Sequence, residues 1–203
     1  MKCLPGTQYH FHLETQTCIA KPEEDGMTVS SSTQYVDIVQ RMVAAHLNMK
    51  ESDINMTVRR LGGAFGAKIS QANIPATACA VAANKLNLPV RLRMDLRTNM
   101  EMLGKRLPYL AKYKASLDKD NKLAGVNIKI FCDSGSNYNE STADIAVGFA
   151  KSVYARYVHA QKNLVYPYFS SPVWRLSPMA VLTDTPSNTY CRAPGSTQVC
   201  AQI

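Results

Sequence analysis

Three glycines and a phenylalanine stand close together in residues 59–68, as Gly62, Gly63, Phe65 and Gly66. We call residues 59–68 the glycine loop. A stretch with strand-like alternation precedes the loop, and an alanine-rich, helix-like stretch follows it. Because glycine has no Cβ, a glycine-rich turn between a strand and a helix lets the backbone lie against a ligand. The pattern therefore indicates a binding loop.

The glycine loop departs from both common phosphate-binding loops. Counted from Gly62, a P-loop requires a second glycine where Ala67 stands and a hydroxyl side chain where Ile69 stands. The dinucleotide fingerprint G-x-G-x-x-G does not occur in the chain either. The loop taken alone leaves open whether its ligand is a nucleotide, a pterin or nothing.

Other catalytic patterns are weaker. The chain has no G-x-S-x-G motif, and its 4 histidines accompany no obvious nucleophile. His10 and His12 would share one strand face, but no third metal ligand stands near them, and the 6 cysteines lack the spacing of zinc or iron–sulfur sites. Arg192 lies in an Arg-Ala-Pro-Gly turn, where its rigid donors would suit an anion or a pterin ring.

Composition limits the possible partners. The 203 residues carry a net charge of +8, spread without any block of five or six like charges, which argues against a nucleic-acid tail. Apolar runs are too short for a membrane span, and the first residues lack a secretory signal. We therefore expect no nucleic-acid partner, no membrane and a cytoplasmic location.

Periodicity predicts the elements around the loop. Alternation predicts a strand over residues 8–18, paired as a hairpin with a strand over 27–31. Apolar residues at helical spacing from Val36 to Leu47 predict an amphipathic helix, with Ser32 or Thr33 as its N-cap. Gln34 would then lie at a strand-to-helix junction, where side chains often face ligands. Residues 75–86 are predicted as the next helix.

The second half contains the clearest strand signal. Tyr109–Leu117 and residues 123–132 alternate strongly around a polar turn and predict a long antiparallel hairpin. Residues 143–161 favour a helix, three prolines within 166–178 predict a surface excursion, and 179–182 form a short last strand. The last residues look like the opening of a helix, so we expect a truncated chain. The fold class is α+β with mixed sheets.

Four ordered segments carry a family resemblance. Residues 8–15 (Gln-Tyr-His-Phe-His-Leu-Glu-Thr), 32–34 (Ser-Thr-Gln), 60–68 (Arg-Leu-Gly-Gly-Ala-Phe-Gly-Ala-Lys) and 185–195 (Thr-Pro-Ser-Asn-Thr-Tyr-Cys-Arg-Ala-Pro-Gly) resemble the molybdenum hydroxylases, the family of aldehyde oxidase and xanthine dehydrogenase. The Cys-Arg-Ala-Pro-Gly wording is most similar to insect aldehyde oxidases. The resemblance spans nearly the whole chain and implies part of the molybdopterin-binding region, with a first lobe over about 1–105 and a second over about 106–203.

The resemblance also implies a site. Molybdenum would be held by a pterin dithiolene, with no direct protein ligand. Gln34 would hydrogen-bond the oxo or pterin side of the centre, Phe65 and Gly66 would present backbone to it, and Arg192 would supply donors. The family's glutamate base lies beyond this chain, which therefore contains no catalytic residue. Full-length members also carry FAD and two [2Fe–2S] clusters, form homodimers and pass electrons to oxygen or NAD.

Two positions indicate the substrate. By the resemblance, xanthine-specific members have a glutamate immediately after the loop lysine, where this chain has Ile69. They also have an aromatic residue two positions after the turn arginine, where this chain has Pro194. The resemblance suggests Arg156 as a further purine-binding arginine, but the proline-rich stretch that follows leaves that alignment open. The leading interpretation is a fragment of an aldehyde oxidase that is inactive alone and whose substrate is a small aldehyde. The alternatives are a xanthine dehydrogenase fragment and a non-catalytic pterin- or nucleotide-binding protein.

Overall fold

The computed structural model describes residues 2–3, 7–138 and 173–194. The predicted helix over 143–161, Arg156 and the predicted helix opening at the chain end lie outside these residues. Within them, no helix is both long and apolar enough to cross a membrane. The elements, in chain order, are β1 Lys2–Cys3, β2 Thr17–Glu23, β3 Gly26–Ser31, α1 Val36–Leu47, a 3₁₀ turn Glu51–Asp53, β4 Ile54–Thr57, α2 Asn73–Leu86, β5 Val90–Arg93, α3 Leu96–Met102, β6 Tyr109–Leu117, β7 Leu123–Asp133 and β8 Val173–Val181.

The chain divides into two compact units. Residues 9–105 and 189–191 form one, which we call the loop unit because it contains the glycine loop. Residues 1–8, 106–188 and 192–203 form the other, which we call the hairpin unit. Each unit has its own four-stranded sheet, of order β4-β3-β2-β5 in the loop unit and β1-β6-β7-β8 in the hairpin unit.

Both sheets are mixed. In the loop unit β3 pairs antiparallel with β2 and parallel with β4, and in the hairpin unit β7 pairs antiparallel with β6 and parallel with β8. A short turn connects β2 to β3 and another connects β6 to β7, and α1 lies in the longer connection between the parallel strands β3 and β4. The prediction of an α+β fold with mixed sheets is confirmed.

The core of the loop unit follows from two periodicities. Alternate residues of β2 and β3 are fully buried and meet the apolar faces of α1 and α2. On α1 the inward residues include Val39 and Val43, as the helical spacing predicts. On α2 they are mostly alanines, whose small side chains allow the helix to lie close to the sheet. This packing fixes the two ends of the glycine loop, which runs between β4 and α2.

Three local predictions are wrong. The strand predicted over 8–18 begins only at Thr17, because residues 9–16 bond to loops rather than to a neighbouring strand, and Phe11 has a positive φ of 50°. Tyr35, not Ser32 or Thr33, is the N-cap of α1 and makes no side-chain cap; Thr33 Oγ1 instead accepts the Tyr35 N–H.

The third error concerns the surface excursion predicted over 166–178. Residues 173–178 belong to β8, which includes Pro178, and residues 166–172 lie outside the part of the chain that the structure describes. Proline lacks the N–H that a strand interior needs, yet it is tolerated at a sheet edge. Among the described strands β8 is such an edge, with β7 as its neighbour. The long hairpin, by contrast, is confirmed: β6 spans the predicted residues, and β7 extends one residue past the prediction to Asp133.

Candidate functional site

The backbone of the glycine loop takes left-handed conformations at three positions. The φ angles are +96° at Gly63, +53° at Phe65 and +102° at Gly66. A non-glycine residue at positive φ is strained, so Phe65 is held there by its surroundings. Its side chain remains 45% exposed. The loop thus presents an aromatic ring outward while its glycines supply the unusual backbone.

Gly66 lies against a distant part of the chain. A Cβ built at this position would overlap the carbonyl group of Tyr190. The same carbonyl oxygen accepts a hydrogen bond from His10 Nε2 at 2.5 Å. Within the loop unit, the structure therefore brings together three of the four segments that carried the resemblance.

Gln34 ties the fourth segment to the loop. Its Oε1 accepts hydrogen bonds from the backbone N–H groups of Gly66 at 2.9 Å and Lys68 at 3.3 Å. Its own backbone N–H donates to the Lys68 carbonyl at 2.8 Å. Since Oε1 is engaged, Nε2 is the end of the side chain that can bind a ligand, and it bonds to no other described residue. Gln34 can therefore act toward a ligand only as a donor.

An ion pair closes the loop from the opposite side. Lys68 has a fully buried side chain whose Nζ donates to Glu14 Oε2 at 2.6 Å. The same carboxylate oxygen accepts the Gly62 N–H at 3.0 Å, and the Glu14 N–H donates to the Gly62 carbonyl at 3.0 Å. One glutamate thus holds both the first glycine and the last residue of the loop. We call this arrangement the Glu14 clamp.

Electrostatics of the clamp are set by burial and pairing. Burial opposes ionisation of Glu14, but the hydrogen bonds from Lys68 and from the Gly62 N–H outweigh it and hold the pKa of Glu14 below its ordinary value. Burial lowers the pKa of Lys68, although its bond to Glu14 acts in the opposite direction. The two groups therefore stabilise each other's charged forms inside the unit.

His12 lies beside the clamp and is nearly fully buried. Its Nδ1 is 2.6 Å from the Glu14 carbonyl oxygen, so the neutral ring places its proton there. Burial lowers the pKa of His12, and the charge of Lys68 adds to this, against the effect of the bond to Glu14. The ring is thus held neutral next to the glycine loop.

We expect the loop unit to lose stability in two stages on acidification. Below about pH 6.5, the ordinary value for His12, the unfolded chain takes up a proton that the folded chain resists, so the free energy of unfolding falls. Below about 4.5, the ordinary value for Glu14, the stabilisation from its ionised form is lost as pH falls through its lowered folded pKa. Urea unfolding of the chain from about pH 8 to about pH 2 measures both stages.

The control separates the histidine from general acid effects. His12→Gln is expected to remove the first stage and leave the second. The exposed His46 of α1, replaced by Gln, is expected to leave both stages in place. A first stage that persists in His12→Gln would contradict the assignment.

Arg192 and Pro194 belong to the hairpin unit and are exposed. The Arg192 carbonyl oxygen accepts a hydrogen bond from Arg106 Nη2 at 2.9 Å, and Arg106 Nε donates to Gln8 Oε1 at 2.8 Å. Arg106 is only 6% exposed, and its Nη1 is buried without a hydrogen-bond partner among the described residues. Arg106, to which the sequence patterns assign no role, therefore carries beside the Arg192 turn a buried donor that no described residue satisfies.

The structure thus brings together some, but not all, of the site residues predicted from the sequence. Gln34, Phe65 and Gly66 come together in the loop unit, where Ile69 is half-buried next to Lys68. The roles predicted for Ile69, Arg192 and Pro194 stay predictions. Glu14 and Lys68 were part of the quoted segments but received no role. A signal for them was present in the sequence, because Glu14 and Lys68 carry opposite charges and each lies among apolar or small residues of a quoted segment.

Two solved structures, each named an oxidoreductase, have the same fold. The chain superposes on the aldehyde oxidoreductase from Desulfovibrio gigas with a TM-score of 0.80 at 22% identity, over 98% of this chain and 20% of that one. It superposes on the quinoline 2-oxidoreductase from Pseudomonas putida 86 with a TM-score of 0.77 at 18% identity, over 96% of this chain and 24% of that one. At these identities the likeness establishes the fold.

Sequence comparison establishes the family. The profile described as "Molybdopterin cofactor-binding domain" matches residues 3–203. Aldehyde oxidase 4 of Arabidopsis thaliana is 33% identical over 194 residues, and aldehyde oxidase 1 of Oryctolagus cuniculus is 34% identical over 195 residues, each match covering 95% of this chain. The chain belongs to the molybdopterin cofactor-binding domain family of the molybdenum hydroxylases. It spans 14% of the length of each of these two relatives.

The donors and close approaches seen here fit such a cofactor. A molybdopterin offers anionic and carbonyl-type oxygen atoms, which require N–H donors. The loop unit supplies the Nε2 group of Gln34 and a backbone made accessible at Phe65. Among the described residues, no three His, Cys, Asp or Glu side chains are grouped to hold a metal ion.

Proposed function

We propose that this chain is the cofactor-binding part of a molybdenum-dependent oxidoreductase that converts aldehydes to carboxylic acids. The observation that carries the proposal is the pair of hydrogen bonds that Gln34 Oε1 accepts from backbone N–H groups of the glycine loop. It fixes the loop and leaves an amide donor for the cofactor. When bound, the molybdenum–pterin group supplies a two-electron oxidation in which water provides the oxygen of the acid.

The residues of this chain would bind and orient. Gln34 Nε2 would donate to an oxygen of the bound group. By the resemblance, Arg192 would also supply donors to that group. Phe65 would present its ring and backbone at the edge of the site. In this proposal the glycine loop is held in its binding conformation before the cofactor arrives, because Gln34 and the Glu14 clamp fix it on both sides.

Aldehydes are favoured as substrates by Ile69. A purine carries several polar groups that need partners, and leaving one unpaired in a buried site costs about 1–3 kcal/mol. The apolar Ile69 offers no such partner, whereas the carbon chain or ring of an aldehyde can pack against it. The matched relatives named aldehyde oxidase support the same choice.

Bound cofactor is the direct test. After expression in a host that makes molybdopterin, the purified chain is expected to contain molybdenum and pterin, measured by mass spectrometry and by pterin fluorescence after oxidative release. Gln34→Ala is expected to lower both contents about tenfold, since a hydrogen bond to a charged acceptor is lost and the loop is freed.

The matched control is Gln40→Ala. Gln40 Nε2 donates to the carbonyls of Glu51 and Ile54, both at 2.8 Å, so this variant also loses two bonds between a side chain and the backbone. It is expected to retain the cofactor content of the unaltered chain. Absence of molybdenum from the unaltered chain would favour the non-catalytic pterin- or nucleotide-binding alternative instead.

We further propose that the 203 residues do not turn over aldehydes alone. They correspond to 14% of the two matched aldehyde oxidases, and the resemblance places the glutamate base beyond them. Benzaldehyde oxidation with a dye acceptor is expected to stay at the level of a blank, even for chain that contains cofactor. Measurable oxidation that depends on the chain would contradict this proposal.

A further inference from the structure

One face of the hairpin-unit sheet is basic. On β6 the side chains alternate, so that Tyr109 and Ala111 are buried on one face while Lys112 and Lys114 are exposed on the other. Strand register extends this exposed face across the sheet: Lys112 lies opposite Lys129 of β7. We call the surface formed by the four residues Lys112, Lys114, Lys129 and Arg175 the basic face.

Arg175 joins the face through β7. Asn127 is the register partner of Lys114 on one side and of Arg175 on the other, so these three residues form the next row across the strands. Lys129 and Arg175 are exposed like the two lysines of β6. The four cations therefore occupy two adjacent rows of one sheet face.

The basic face is not neutralised by the part of the chain that the structure describes. None of its four cations forms an ion pair with a described residue. Asp133 lies at the end of the same face of β7, separated from Lys129 by Phe131. It accepts hydrogen bonds from the Gly135 N–H at 2.8 Å and Thr183 Oγ1 at 2.7 Å, forms no ion pair with the four cations, and lines the hollow described next. Like charges directly opposite each other, such as Lys112 and Lys129, destabilise a sheet. The fold therefore gains nothing from this arrangement.

An apolar hollow continues the face along the strands. It has a volume of about 410 Å³ and is lined in part by Leu110, Phe131 and Val181. Lys112 borders it, with its Nζ 5.2 Å from the centre of the Phe131 ring. Leu110, Lys112 and Lys114 are alternate residues of β6 and lie on the same face. The hollow and the two rows of cations are therefore spaced two residues apart along the strand.

We propose that the basic face and its hollow bind an extended acidic polypeptide segment. The segment carries an apolar side chain at one position and carboxylates two and four residues further along. The apolar side chain fills the hollow, and the carboxylates face the row of Lys112 and Lys129 and then the row of Lys114 and Arg175. Charge complementarity selects the acidic residues, and the hollow selects the apolar one.

The face fits a polypeptide better than a single-stranded nucleic acid. Binding of single strands relies on several exposed aromatic rings on which successive bases stack. Among the described residues of this face only Phe131 is aromatic, and Lys112 already lies over its ring. An isolated apolar hollow beside carboxylate-binding rows is instead suited to one anchoring side chain of a peptide.

The test uses a fluorescein-labelled peptide, Ser-Phe-Ser-Glu-Ser-Glu-Ser, and fluorescence anisotropy with the 203-residue chain at low ionic strength. The double variant Lys112→Glu with Lys129→Glu is expected to weaken binding at least about tenfold, since two attractions become repulsions. Both versions place two like charges opposite each other on β6 and β7, so the variant is not expected to change the stability of the sheet greatly. The control Lys50→Glu with Lys119→Glu makes the same change in net charge at exposed positions off the face and is expected to bind within about twofold of the unaltered chain.

Changing the probe tests the hollow separately. A peptide with Ser in place of Phe is expected to bind about fivefold more weakly, because the apolar anchor is lost. Equal affinity of the face variant and the control variant, or no measurable binding by the unaltered chain, would overturn the proposal. The proposal would also be overturned if the chain bound a single-stranded oligonucleotide or phosphatidylserine vesicles more tightly than the peptide, and if the face variant but not the control variant lost that binding.

Discussion

Replacing Glu14 by Gln is expected to lower the free energy of unfolding of the loop unit by about 3 kcal/mol. The change keeps the shape of the side chain but leaves the fully buried ammonium of Lys68 without its carboxylate. It also weakens the acceptor of the Gly62 N–H. Urea unfolding at pH 7.5, followed by far-ultraviolet circular dichroism, measures the loss.

The partner variant is expected to cost less. Lys68→Met removes the buried charge itself, and the carboxylate of Glu14, whose side chain is 35% exposed, can then be solvated by water. We expect a loss of about 1 kcal/mol, and about the same for the double variant, because the unpaired ammonium is absent from both. If Lys68→Met were as damaging as Glu14→Gln, the clamp would act through packing rather than through its charge.

Gly66→Ala is expected to disrupt the glycine loop. At a φ of +102° an alanine is strained, and its Cβ would overlap the backbone carbonyl of Tyr190, which cannot rotate away as a side chain would. We expect a loss of about 3 kcal/mol in the free energy of unfolding, or displacement of residues 189–191 from the loop. Urea unfolding gives the first quantity, and amide hydrogen exchange at residues 62–68 and 189–191 gives the second.

Gly125→Ala controls for the substitution itself. A Cβ at Gly125 on β7 would lie 3.2 Å from Ser116 Oγ, a side-chain atom that can move. We expect the free energy of unfolding to change by less than about 1 kcal/mol. A Gly66→Ala variant as stable as Gly125→Ala, with unchanged exchange at the loop, would show that the contact with Tyr190 is not tight.

Periodicity predicted those elements in which apolar residues recur at the spacing of one type of secondary structure, either a helix or a strand. The apolar positions of α1 recur at helical intervals, and β6 and β7 alternate over their whole length, so both were found from the chain alone. Residues 9–16 also alternate, yet they form no strand. Their backbone groups bond to loops distant in sequence, as in the bond from the Glu14 N–H to Gly62, and a pattern of neighbours cannot reveal that.

The site shows the same limit. The position of Gln34 at a strand-to-helix junction could be predicted, because it depends on the local order of elements. Its bond to Gly66 joins residues 32 positions apart, and the bond between Glu14 and Lys68 joins residues 54 positions apart. Only the packing of α1 and α2 on the sheet brings such pairs together. The Nη1 of Arg106, which no described residue satisfies, is likewise a result of burial, and charge alone does not reveal burial.

The contact between Gly66 and Tyr190 also bears on how the chain acquires its fold during synthesis. The loop unit consists of residues 9–105 completed by residues 189–191, and His10 bonds to a carbonyl 180 positions later. Contacts of such separation require closure of a long segment and form late. As the ribosome releases the chain, the sheet and helices of the loop unit can assemble well before Tyr190 appears. The glycine loop would therefore reach its final conformation after the rest of its unit, and the cofactor would enter only once residues 189–191 had been made.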